Sequence, residues 1–268
     1  LVADGIIDTI DVGDGPRSVE FSSDGAFASV ANLSDDTVSK INADTRAVVA
    51  TVAVGDEPVG AAITPSGAQL WITNFNGATI SIIDLATFTV VDTISSGGTK
   101  PYGIVFDSAG AFAYVTNFVP GNVAKISTTT KTVVDTAPYP DYYPEGITLN
   151  ADESALYFGS TSQYNVVKLA TATLDEITSV PVGTFPIGVT LSPDGTQLWV
   201  ANNDSTAPSV TVIATATDTV LDTIPTSTYP INVAWGWDGN VWVVHSATSA
   251  GPDKFNYSTR TALTTDLP

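Results

Sequence analysis

Short runs of apolar and β-branched residues alternate along the whole chain with tight turns rich in Gly, Asp, Asn and Thr. One stretch shows the pattern: Gly60-Ala61-Ala62-Ile63, a Ser66-Gly67 turn, Leu70-Trp71-Ile72-Thr73, Thr79-Ile80-Ser81-Ile82-Ile83, and Val90-Val91-Asp92-Thr93-Ile94. Runs this short and this β-branched predict strands, and no 3.6-residue periodicity argues for a helix. The second run alternates poorly between apolar and polar, as expected of a strand buried on both faces.

The pattern repeats. An anchor proline recurs at Pro16, Pro58, Pro101, Pro144, Pro186 and Pro230, spaced by 42, 43, 43, 42 and 44 residues. Two residues on stands Gly60, Gly103, Gly146 or Gly188, with Ser18 and Asn232 as exceptions. A strand then ends, sixteen residues after the proline, in Asn32, Asn74, Asn117, Ser160 or Asn202; the shorter sixth copy ends in His245. A period in the low forties with four strands per unit predicts a β-propeller. Six anchors predict six four-stranded antiparallel blades in one domain over 1–268, with the residue five after each anchor (Phe21, Ile63, Phe106, Leu149, Leu191, Trp235) buried. In the turns "GDEP" and "GTFP" before the anchors, Gly is expected to take positive φ while Pro fixes the next φ. The outer strand has seven candidates, because Ile6–Ile10 precedes the first anchor and Thr261–Leu263 follows the last. On one reading the N-terminal strand closes the last blade and the final ten residues are a tail. On the other, the spare copy pairs with an exposed edge of another chain, since unpaired edges recruit strands.

The segments "YVTNFVPGNVAKIS" (114–127), "WITNFNGATISIID" (71–84), "VANLSDDTVSKIN" (30–42) and "WVANNDSTAPSVTVIA" (199–214) resemble the YVTN β-propeller repeats of surface-layer and secreted proteins. The resemblance spans nearly the whole chain. It implies the fold and an exported setting, but it rests on core and turn residues and so specifies no activity.

Composition adds a setting. The 268 residues carry 28 Asp and Glu against 9 Lys and Arg, a formal net charge of −19. So few bases disfavour nucleic acid, whose phosphates are bound by displacing counterions with Lys and Arg. No run reaches the length of a membrane-spanning helix. There is no Met, which reads as a removed signal peptide or a piece of a longer polypeptide, and no Cys, which excludes thiolate chemistry and disulfides. Three Asn-x-Ser/Thr sequons, at Asn32, Asn203 and Asn256, are glycosylation candidates in an extracellular, cell-surface setting.

Candidate chemistry is unevenly placed. The loops before the anchors and after the strand-end Asn residues hold Tyr102, Phe118, Tyr139, Tyr142, Tyr143, Tyr164, Phe185 and Tyr229, whereas the opposite loops are short Asp/Gly/Thr turns. Such aromatics form either a contact surface for a protein or glycan partner or a plug for the propeller channel. A single His allows no two-His metal site, and there is no nucleophile elbow or phosphate loop. His245 reads first as a polar strand end. A competing reading groups Asp141, Glu145 and His245 as a metal or acid/base cluster, as in propeller lactonases and lyases. The sequence thus points to a non-enzymatic surface module without cofactor, able to self-associate through a terminal strand, with a secreted propeller enzyme as the alternative.

Overall fold

The computed structural model describes residues 8–236, 238–246 and 251–264. Among them all regular structure is strand, arranged as six four-stranded antiparallel sheets, the blades of a six-bladed β-propeller. The strands are β1 (Pro16–Phe21), β2 (Phe27–Asn32), β3 (Thr37–Asn42) and β4 (Ala47–Ala53); β5 (Pro58–Ile63), β6 (Gln69–Asn74), β7 (Thr79–Asp84) and β8 (Thr89–Ser95); β9 (Thr99–Phe106), β10 (Phe112–Val119), β11 (Asn122–Ser127) and β12 (Thr132–Pro138). The second half holds β13 (Pro144–Leu149), β14 (Ala155–Ser160), β15 (Asn165–Ala170) and β16 (Glu176–Pro181); β17 (Pro186–Leu191), β18 (Gln197–Asn202), β19 (Ser209–Ala214) and β20 (Thr219–Pro225); β21 (Pro230–Trp235), β22 (Asn240–His245), β23 (Asp253–Asn256) and β24 (Ala262–Thr264). Each sheet is a simple meander. The chain divides into two compact units, Thr9–Pro144 with the first three sheets and Glu145 onward with the last three.

The anchor proline is a ladder residue, the first of its strand in five sheets and, as Pro101, the third of β9. It stands opposite the strand-end polar residue: Pro16 with Asn32, Pro58 with Asn74, Pro101 with Asn117, Pro186 with Asn202, Pro230 with His245. The register shifts immediately after each of these pairs, so the proline sits at a bulge where no ladder N–H is demanded of it. The proline and the Asn sixteen residues on are therefore two halves of one joint. Asn74 shows how it is held: its amide donates to Thr79 Oγ1 at 2.9 Å and Ser81 Oγ at 3.0 Å, while Gly55 N–H donates to its carbonyl oxygen at 3.2 Å.

The turn before the anchor corrects the glycine expectation. Positive φ falls on the residue immediately before the proline, namely Gly15, Glu57, Lys100, Tyr143, Phe185 and Tyr229, with φ between 50° and 67°. Gly55 and Gly183 do not have it. They are small for a different reason: a Cβ would lie 2.5 Å from the Asn74 side chain at Gly55 and 2.6 Å from Asn202 at Gly183.

The second strand of each sheet fills the core, with Leu70, Trp71 and Ile72 and their counterparts Leu198, Trp199 and Val200 fully buried. Of the residues five after each anchor, Phe106 and Leu149 are buried, Ile63, Leu191 and Trp235 are half-buried, and Phe21 is 60% exposed. The sixth sheet also departs from the N-terminal-closure reading. Its fourth strand is β24, which pairs with β23 through Lys254–Thr264 and Phe255–Ala262. Ala262–Thr264 thus complete the sixth sheet, while Thr9–Val12 form no strand. Ile6 and Ile7 lie outside the described residues.

Candidate functional site: an aromatic strip on the loop face

In the Thr9–Pro144 unit, four rings fall into one line, Phe75 and Tyr143 on loops, Tyr102 in β9 and Phe118 near the end of β10. Tyr102 meets Phe75 edge-on at 6.3 Å, Phe75 meets Phe118 at 6.0 Å, and Phe118 stacks on Tyr143 at 4.9 Å with 22° between planes. The repeat explains the placement. Phe75 and Phe118 each follow the repeat's Asn; Tyr102 follows an anchor proline, and Tyr143 precedes one, with a φ of 50°. Tyr143 is 37% exposed and the other three are half-buried.

Two of the nine bases lie on this strip. Arg17 donates to the Tyr102 hydroxyl at 2.8 Å with its guanidinium carbon 5.9 Å from the ring centre, and Lys100 Nζ stands 4.9 Å from the Phe75 centre. Acidic loops border it: Phe75 N–H donates to the Glu57 carbonyl, and Glu57 N–H to the Asp36 carboxylate. Aromatic faces with polar tips and fixed cations suit flat, partly hydroxylated or polypeptide ligands, held by stacking and a few directed hydrogen bonds.

The remaining aromatics divide. Tyr139 is buried and packs edge-on against Tyr142 at 5.4 Å, so it supports the loop and is not a contact residue. In the other unit, Tyr164 and Phe185 are exposed and form an edge-to-face pair at 5.5 Å, and Tyr229 is exposed. Phe75 escaped the sequence reading although "WITNF" and "YVTNF" carry it in the same position as Phe118. Arg17 and Lys100 escaped because no residue-type pattern accompanies them.

His245 is committed elsewhere. Its side chain and that of Asp253 are both fully buried, with Nε2 and Oδ2 3.2 Å apart, and its Nδ1 lies 3.1 Å from the Thr228 carbonyl. Ser227 completes the node, its N–H and hydroxyl donating to the two Asp253 oxygens at 2.7 and 2.9 Å. Burial raises the Asp253 carboxyl, but the hydrogen bonds from His245 and Ser227 and the charge of the imidazole outweigh it and hold the group below its ordinary value. Register places Asp253 where the fifth sheet has Thr211, the hydroxyl to which Asn202 donates at 2.9 Å. The sixth blade thus replaces a neutral Asn–Thr joint by a His–Asp pair. This corrects the metal reading of His245: the imidazole faces structural acceptors. Of its proposed companions Asp141 is exposed and Glu145 buried, and among the described residues no group of three or more His, Asp or Glu is arranged to hold a metal.

Asn32 is also corrected. It is fully buried, donating to Thr37 and Ser39 inside the first blade, and no glycan can be added there without unfolding the joint. Asn203 and Asn256 are half-buried; the Asn203 amide donates to the Pro230 carbonyl, and the Asn256 carbonyl caps Thr259.

No family model matches the sequence, and no curated protein matches it. Among solved structures, the chain is similar to hydrazine synthase of Kuenenia stuttgartiensis, with TM-score 0.82 at 22% identity over 92% of this chain and 78% of that one. It is similar to virginiamycin B lyase of Staphylococcus aureus, with TM-score 0.78 at 18% identity over 92% and 83%. It is also similar to a protein of unknown function from Desulfotomaculum acetoxidans, with TM-score 0.77 at 21% identity over 88% and 77%. At these identities the likeness is one of architecture, and it places the chain among the β-propellers by fold.

Proposed function

We propose that this chain is a non-enzymatic binding module of the YVTN-repeat kind, working at a cell surface and gripping a glycan or protein partner with its aromatic loop face. The observation that carries the reading is the Tyr102–Phe75–Phe118–Tyr143 strip with Arg17 and Lys100 beside it. Four neighbouring rings on the strand ends and loops of a sheet scaffold make a preorganised contact surface, because little side-chain freedom remains to be lost on binding. The acidic remainder of the molecule disfavours polyanions and leaves stacking as the main attraction.

The test is a binding screen against immobilised glycans and displayed peptides, run in parallel with wild type and the Phe75→Ala/Phe118→Ala variant. A ligand bound by wild type and lost by at least roughly tenfold in the variant supports the reading, since central aromatic anchors dominate such surfaces. Binding that survives both truncations refutes it. A second reading, a propeller enzyme of lactonase or lyase type, draws on the similarity to virginiamycin B lyase. Turnover of a lactone or cyclic ester that is abolished by chelation would favour that reading.

A further inference from the structure

Consecutive sheets within each unit pack by one rule. The residues three and five after an anchor, with the second and third strands of that sheet, form a front face. The sheet before it in the chain covers that face with its second and third strands and with the end of its outer strand, the residues six and four before Pro58 and Pro186 and the residue seven before Pro101. In the second unit, Val189 and Leu191 lie under Tyr157, Val166, Val180 and Val182. In the first, Ile104 and Phe106 lie under Trp71, Ile80, Ile82 and Ile94.

The first sheet has no preceding sheet in its unit, and part of its front face is open. Val19 and Phe21, its residues three and five after the anchor, are 53% and 60% exposed, against 6% for Val189 and 8% for Phe106. The outer part of the same face is covered: Ile10 and Val12, six and four before Pro16, pack on Ala28, Val30 and Ile41. They occupy the places of Val180 and Val182. The segment leading to them, Ile6-Ile7-Asp8-Thr9-Ile10, repeats the outer-strand pattern of Val90–Ile94 and Val220–Ile224. What is lacking over Val19 and Phe21 is the counterpart of Tyr157 and Val166, from the second and third strands of a preceding sheet. Exposed apolar neighbours on a face that the other sheets bury mark a contact surface.

We propose that the front face of the first sheet docks one further antiparallel sheet of the same repeat, with Ile10 and Val12 already standing where its outer strand belongs. The occupant presents an aromatic and a β-branched residue to Val19 and Phe21, as Tyr157 and Val166 do to Val189 and Leu191. The contact is apolar, so the net charge of the chain does not oppose it within one molecule.

The chain has no Cys, so Phe21→Cys gives a single reporter thiol. A second protein carries a copy of residues 58–84, three inner strands, fused directly before Leu1; residues 1–5 then stand in the place of the 85–89 turn and Ile6 in that of Val90. The expected result is labelling of the thiol at least about tenfold slower in the fused protein, with the particle still a monomer, because reaction then requires opening of the docked sheet. The same fusion with the copied Trp71→Asp and Ile80→Asp loses that protection. Three results overturn the proposal: equal labelling with and without the fusion, a protease-sensitive fused segment over an open thiol, or a thiol already protected in the unfused chain. In the last case, particle mass shows whether a second copy or the chain itself covers Phe21.

Discussion

The His245–Asp253 pair gives the sharpest handle on how this fold is held, because the repeat supplies its own neutral control. Both side chains are fully buried, and the carboxylate is met by one imidazole nitrogen and two donors from Ser227. His245→Ala removes the imidazole that lies 3.2 Å from a buried carboxylate, a change that costs about 3–5 kcal/mol. At 2–4 °C per kcal/mol for a domain approaching this size, Tm falls by roughly 6–20 °C. His245→Asn restores the residue of four other repeats, yet its amide still meets a carboxylate where Asn202 meets Thr211. The amide takes the place of the imidazole beside the carboxylate, for about 1–3 kcal/mol. His245→Asn with Asp253→Thr rebuilds the neutral joint and recovers most of that loss. Urea unfolding of wild type, His245→Asn, Asp253→Thr and the double variant forms a cycle whose coupling term isolates the pair. Its pH dependence has a defined sign. The Asp253 carboxyl is held low in the folded state, so its contribution is present above the unfolded carboxylate range near pH 4 and is lost as pH falls through the folded value. An Ala variant within about 1 kcal/mol of wild type, or an Asn variant weaker than Ala, would refute the reasoning.

Phe106→Ala, which empties the ring meeting Trp71 edge-on at 5.2 Å, is expected to cost about 3–5 kcal/mol in the same assay, while Phe21→Ala stays within about 1 kcal/mol. Gly55→Ala drives a Cβ to 2.5 Å from the Asn74 side chain and destabilises by about 1–3 kcal/mol, whereas Tyr229→Gly relieves a left-handed residue and is neutral or stabilising. Burial pushes the Glu20 carboxyl up to about 7. A raised acid binds its proton more tightly when folded, so stability falls as pH rises from about 4.5 to 7. Glu20→Gln should therefore raise Tm at pH 8 and change it little at pH 4.

The blade architecture was legible because strand ends, anchor and turns recur with a fixed period, and one joint explains both the proline and the Asn sixteen residues later. What periodicity cannot show is which strand completes a sheet. Ile6–Ile10 and Thr261–Leu263 read alike as outer strands, and only the pairing of β23 with β24 separates them. Glycine at the third position before the anchor looked like a left-handed turn residue, yet it is a clearance for the Asn side chain; a distance between segments some twenty residues apart leaves no local trace. The aromatic face was visible as composition, but its members were not sorted: buried Tyr139 and exposed Tyr143 sit four residues apart in one loop. Asp253 escaped notice because its role depends on a His that appears once.

The central claim is that the Tyr102–Phe75–Phe118–Tyr143 strip is the contact surface, and calorimetric titration with neutral hexasaccharides of glucose, xylose and N-acetylglucosamine, and with peptides selected on the protein, tests it most directly. The account predicts that a ligand bound by wild type loses at least tenfold in affinity in Phe75→Ala/Phe118→Ala, with Tm nearly unchanged, and keeps its affinity in Tyr164→Ala/Phe185→Ala. Affinity unchanged in the first variant and lost in the second would contradict it.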